Sequence, residues 1–182
     1  MAETASFVLT PWSSFYIMTG SSAAALTGLM FVVITLVTGV GRTRRSRDGV
    51  STFSTPTVLH FSTTLLASAI LSVPWRSLVH PAALLGLAGL FGLVYLLRVM
   101  YLTKRLTVYR ADLEDWFWYT ILPLIAYGSI LAGAIMLPAN AVNALFALAA
   151  GVLLLIFIGI RNAWDIVTYL AIEGFDEPPG AG

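Results

Sequence analysis

Residues 116–160 read WFWYTILPLIAYGSILAGAIMLPANAVNALFALAAGVLLLIFIGI, and no Asp, Glu, Lys or Arg falls between Asp115 and Arg161. A helix needs about 20 apolar residues to cross the hydrocarbon core of a bilayer. This stretch is too long for one crossing. Pro138-Ala139-Asn140 divides it, because a helix interior resists proline and the three residues together form a turn signal. The segment therefore predicts a helical hairpin, with spans near 115–137 and 140–171.

Working outward, the other formal charges punctuate the chain in the same way. None falls between Glu3 and Arg42, between Asp48 and Arg76, or between Arg76 and Arg98. Pro74 and Pro81 bracket the short connection that holds Arg76. Three further spans follow, near 12–40, 53–75 and 81–103. Thr10-Pro11 reads as an N-cap followed by proline at the first helical position. The last helix exceeds the bilayer thickness, and its end, 162–173, is expected to project into the cytoplasm or lie at the interface.

Composition agrees with lipid as the solvent. The 182 residues are 58% hydrophobic and 10% charged, against roughly 45–50% and 25% in soluble domains. A soluble fold this short leaves too much surface in water to hide that apolar content. A net charge of +1 argues against a nucleic-acid partner. The absence of cysteine excludes disulfides, thiolate metal sites and thiol nucleophiles. The opening residues carry Glu3 and no basic residue, so the first span is expected to be a retained helix rather than a cleaved signal peptide.

Orientation follows from the ten basic residues. Arg42, Arg44, Arg45 and Arg47 fill the first connection; Arg98, Lys104, Arg105 and Arg110 sit at or after the end of the third span; Arg161 closes the fifth. Only Arg76 falls on the other side. The positive-inside rule then places the N-terminus outside and the C-terminus in the cytoplasm. Trp12, Trp75, Trp116, Trp118 and Trp164 lie near span ends, as an aromatic belt requires. The expected fold is all-α: one transmembrane domain over 1–182, an integral bundle of five helices.

Small residues mark the packing faces. Gly20, Ala24 and Gly28 recur at steps of four in the first span, a face on which another helix backbone can approach closely, within the chain or from a second copy. Gly86, Gly89 and Gly92 in the third span, and Ser129 and Gly133 in the fourth, offer similar approach.

Polar residues inside the spans are few. Ser54, Thr57, Thr64, Ser68 and Ser72 share one face of the second span, with His60 at its edge. Thr57, His60, Thr64 and Ser68 form a candidate polar pathway for water, an ion or a small solute. Alternatively, the hydroxyls bond to helix carbonyls or neighbouring helices. An ionisable residue such as His60 within the bilayer is a functional candidate by default. It can relay a proton or ligate a metal, or it can stay neutral and donate one hydrogen bond to a neighbouring helix, which is the favoured expectation. His80 belongs to the opposite membrane face, so no shared histidine site is expected within one chain. A candidate cytoplasmic vestibule comprises Arg98, Asp115, Arg161, Asn162 and Asp165, with Arg98 and Arg161 meeting the two aspartates. The same residues also read as snorkelling arginines and interfacial pairs.

No catalytic constellation is present: no Walker loop, dinucleotide fingerprint, zincin pattern or serine elbow. No cofactor or bound metal is expected. Trp12-x-x-Phe15, with Ala23-Ala24-Ala25-Leu26-Thr27-Gly28-Leu29 and Phe31-Val32, resembles the opening of a widespread group of small bacterial membrane proteins of unknown function, some of which are labelled modulators of a membrane-bound AAA protease. The resemblance covers the first quarter of the chain and implies a bacterial inner-membrane setting, without catalytic residues to carry over. Two functions are then expected, in this order: a non-enzymatic, oligomeric membrane protein that regulates or scaffolds a partner, or a small channel or transporter lined by the seam of the second span.

Overall fold

The computed structural model describes residues 2–39, 44–105 and 117–173, which form helices joined by short turns, with no strand among them. Helix α1 (Ala2–Leu9) leads through a 3₁₀ turn (Thr10–Trp12) into α2 (Ser13–Gly39). Then come α3 (Arg44–Ser72) and α4 (Val79–Arg105), a π turn (Phe117–Ile121), α5 (Leu122–Met136) and α6 (Ala141–Glu173). Four apolar stretches are long enough to cross a membrane: Phe7–Thr35, Val79–Tyr101, Phe117–Met136 and Ala141–Asp165. The apolar part of α3, Pro56–Ser72, is shorter.

One local expectation needs correction. Thr10 caps no helix: the chain is helical on both sides of it, and the residue at the cap position, Leu9, makes no side-chain cap. Pro11 does occupy the first turn, and because it has no N–H to give, the preceding helix tightens into a 3₁₀ turn there. Helix α3 begins at Arg44, well before residue 53. Charged side chains mark where lipid ends, and backbone hydrogen bonding continues past that limit.

Helix α6 packs along α5 and α3, α2 along α3, and α4 along α5. Helices α3 and α6 thus occupy the middle of the bundle. One end holds the start of α2 and the α3–α4 and α5–α6 turns; Trp12 meets Phe146 there edge-on at 4.8 Å, and Tyr16 Oη donates to the Leu145 carbonyl at 3.3 Å. We call this the turn end. The opposite end, where α4 reaches Arg105 and α6 passes Arg161, is the arginine end.

In lipid, apolar contact between helices gains little over contact with acyl chains, so close approach and hydrogen bonds decide the packing. Glycine supplies the approach. Gly86, Gly89 and Gly92 face Ala134, Leu131 and Tyr127 of α5 in antiparallel register, as their small size predicts. A Cβ on Gly89 would stand 3.0 Å from the Leu131 amide nitrogen. Between α5 and α6, Gly133 seats on Ala144 and Leu148, and Gly151 seats on Ala126 and Ile130. Ser129 Oγ donates to the Ala147 carbonyl between them at 2.8 Å. The core lies along these contacts, with Tyr16, Tyr127, Ile130, Leu148, Leu155 and Ile158 fully enclosed.

Candidate functional site

The polar face of α3 points into the middle of the bundle. Thr57, His60, Thr63, Thr64 and Ser68 are all buried, His60 to 1% exposure. Ser72 is exposed at the turn end and bonds back to the Ser68 carbonyl at 2.8 Å, while the Ser54 side chain lies outside the described residues.

Most seam groups are bonded to a neighbouring helix. Ser68 Oγ and Thr19 Oγ1 of α2 lie 3.0 Å apart, beside Gly20, whose missing side chain makes room for Ser68. Thr64 Oγ1 donates to the Val152 carbonyl of α6 at 3.4 Å. Tyr127 of α5 reaches in with its hydroxyl 3.0 Å from His60 Nδ1 and 3.4 Å from Thr63 Oγ1. Its ring occupies the space where a side chain on Gly92 of α4 would stand. His60 therefore has a single helix neighbour as its hydrogen-bond partner at Nδ1. Thr57 is fully buried and engaged in an interaction of its own.

Thr19, Thr63 and Tyr127 complete this network and were not singled out from the sequence. The available signal was a tyrosine and a threonine well inside a span, away from the interfacial belt where aromatic hydroxyls normally sit.

One seam group stands apart. Asn162 of α6 is 1% exposed, and neither its Oδ1 nor its Nδ2 has a hydrogen-bond partner among the described residues. It shares the core face of α6 with Val152, Leu155 and Gly159. It is thus enclosed within the bundle.

Of the other candidate vestibule residues, two are brought together. Arg161 pairs with Asp165 one turn along α6. Tyr119 Oη donates to Asp165 Oδ2 at 3.3 Å, and the Arg161 guanidinium lies 5.6 Å from the Trp118 ring centre. These contacts clasp the π turn before α5 onto α6. Arg98 is exposed on α4, and Asp115 lies outside the described residues. His80 stacks on Trp75 at the turn end, 6.1 Å between ring centres, far along α3 from His60.

The small-residue face of α2 divides in two. Gly20 is buried against Ser68, whereas Ala24 and Gly28 are exposed, and nothing lies within 4 Å of a Cβ placed on Gly28.

Chemically the seam offers neutral hydroxyls, one imidazole and one carboxamide. Among the described residues no group of three or more His, Cys, Asp or Glu side chains gathers at metal-binding distance. Tyr127→Phe removes the hydroxyl shared by His60 and Thr63 while keeping the ring. We expect it to lower stability by about 1–3 kcal/mol, the range for leaving a buried polar group without its partner. Thermal unfolding in detergent measures this, and an unchanged midpoint would show that the hydroxyl adds nothing.

The fold and seam together define an all-α bundle with helices long enough to cross a membrane, apolar outside and polar along its central helix. No family model matches the chain, and neither a curated protein nor a solved structure matches it.

Proposed function

We propose that the chain is a five-span protein of the bacterial inner membrane, N-terminus outside and C-terminus cytoplasmic, acting as a non-enzymatic subunit that regulates or scaffolds a membrane partner. The fifth crossing is α3. Its apolar part, 17 residues at most, spans about 25 Å, and its polar side chains turn inward, so lipid meets mainly apolar surface. The orientation rests on the arginine distribution, and the bacterial setting on the resemblance of the first span.

The observation that carries the reading is the use of the seam. Its hydroxyls and imidazole are bonded from helix to helix within one chain. Polar groups that line a conducting path face water instead. What the bundle leaves open is apolar surface on its outer helices, including the exposed Ala24 and Gly28 on α2. A homo-oligomer or a complex with another membrane protein uses such a face through close backbone approach.

Native mass spectrometry of the protein extracted gently from its own membrane tests this. A fixed complex, with itself or with a host protein, is the expected result; a bare monomer counts against the proposal. Gly28→Ile adds a sharper check. A Cβ there has nothing within 4 Å, so the fold should hold while the complex weakens. A folded variant with unchanged complex mass removes α2 from the interface.

The alternative, a small channel or transporter using Thr57, His60, Thr64 and Ser68, draws support from the unpartnered Asn162 at the arginine end of the seam. Protein-dependent flux of protons, common ions or small anions into proteoliposomes would bring it forward.

A further inference from the structure

Arg98 is the only Asp, Glu, Lys or Arg in the apolar stretch Val79–Tyr101 of α4. Its neighbours fix the side of the helix on which it stands. Gly89, Gly92 and Leu96 are buried on the inner face, and the two glycines meet Leu131 and Tyr127 of α5. Leu87, Phe91, Val94, Arg98 and Tyr101 recur at steps of four and three, and all are exposed. Arg98 therefore belongs to the outward face of α4. Its depth follows from the antiparallel register against α5. Gly92 sits on Tyr127, so six residues further along α4 Arg98 comes level with Ile121, the last residue of the π turn. Tyr101 and Trp118 stand one turn beyond, about 5 Å nearer the arginine end. An arginine side chain laid along the helix covers that distance.

Nothing within the described bundle answers this charge. Among the described residues none gives Arg98 a hydrogen bond or an ion pair. Neither α4 nor α5 contains Asp or Glu, and the Asp165 carboxylate of α6 is taken by Arg161. A cation on a lipid-facing surface is costly unless an anion meets it. The guanidinium fork matches a phosphate, which it can hold through two parallel hydrogen bonds. Its reach ends level with Trp118, in the belt where headgroups lie, which favours a lipid phosphate over a carboxylate carried on a membrane-embedded helix. Leu87, Phe91 and Val94 continue the same face inward and offer an apolar track for an acyl chain.

We propose that the outward face of α4 binds a phospholipid of net negative charge, its phosphate held by Arg98 and an acyl chain lying along Val94, Phe91 and Leu87. The assignment rests on α4 crossing a membrane. It holds whether the protein serves as a subunit or as a transporter.

The test is native mass spectrometry of the full chain in detergent micelles, titrated with phosphatidylglycerol or with phosphatidylcholine. The parent should bind the anionic lipid more tightly than the zwitterionic one. Arg98→Gln should weaken phosphatidylglycerol binding by about tenfold to a hundredfold, the loss expected for hydrogen bonds to a charged group. Arg98 faces outward, so the melting temperature of this variant should stay at the parent value. Arg76→Gln removes the same charge from an exposed position at the turn end and should leave binding unchanged. Inorganic phosphate should not displace the lipid, because it has no chain to lie along Phe91 and Val94. Equal binding of the two lipids, unchanged affinity in a folded Arg98→Gln variant, or displacement by inorganic phosphate overturns the proposal. So does a variant that keeps its lipid but sheds a host protein, since Arg98 would then belong to a protein interface. A parent monomer that retains phosphatidylglycerol through Arg98 supports the site even though it counts against the subunit reading.

Discussion

Gly92→Ala is expected to destabilise the protein more than a methyl group ordinarily does. A Cβ at this position falls on Cδ1 and Cε1 of the Tyr127 ring, with Cγ 2.6 Å away. The ring is rigid, and its hydroxyl is held between His60 and Thr63, so it cannot swing aside without breaking those contacts. Overpacking of a tight core typically costs about 1–3 kcal/mol. Loss of the bonds to His60 and Thr63 adds about 1–3 kcal/mol for the groups left unpaired. The expected outcome is a clearly lower melting temperature in detergent, together with a changed ¹⁵N environment of the His60 ring. Gly28→Ala and Gly128→Ala are the controls. Nothing lies within 4 Å of a Cβ at either position, and alanine is favoured over glycine in a helix by about 1 kcal/mol. If Gly92→Ala melts with the controls, the placement of Tyr127 against α4 is wrong.

Gly151→Val strikes a different joint and is expected to do comparable damage. A Cβ there stands 2.9 Å from the Ala126 carbonyl oxygen and 2.7 Å from Ile130 Cγ1. A side chain can turn away, but a backbone oxygen moves only with its helix. The valine therefore drives α5 from α6, at a cost of about 3 kcal/mol or more, the upper end for overpacking. Gly133 repeats the arrangement near the turn end, with the Ala144 carbonyl oxygen 2.9 Å away. The two glycines act on neighbouring turns of the same α5–α6 joint, so their effects should couple rather than add. The chain has no cysteine, so a Ser129→Cys, Ala147→Cys pair can report the contact directly. A short bifunctional thiol reagent should join that pair in the parent and fail to do so with Gly151→Val. Equal cross-linking in both would mean that the α5–α6 interface does not depend on the glycine.

These joints also show how much was readable before the structure. Gly86, Gly89, Gly92 and Gly133 stand out in the sequence because a residue without a side chain has few other uses inside an apolar helix. All four sit where two helices meet. The polar face of α3 was equally legible, because Thr57, Thr64 and Ser68 repeat at helical spacing and their hydroxyls need partners. Which partners they find was not legible. Tyr127 reaches His60 from 67 positions away, and nothing local to either residue encodes that pairing. The same applies to Gly20 and Gly28. They look alike in sequence, yet one is covered by Ser68 and the other is open, because the face of α2 that meets α3 runs on through Ala23 and Met30 and leaves Gly28 on the outer side.

Asn162 shows the limit most clearly. Beside Arg161 and near Asp165 it read as part of a polar end, but a helix places successive residues about 100° apart. Arg161 and Asp165 turn toward the π turn and Trp118, while Asn162 turns into α3. By itself the sequence determined the helical class, the apolar stretches of membrane-crossing length and the residues able to pack closely, since these depend on local composition, periodicity and charge. Tertiary structure alone decided which helix each face meets and in what register. Those outcomes depend on contacts between residues far apart in the chain, where a shift of one residue turns a buried group outward.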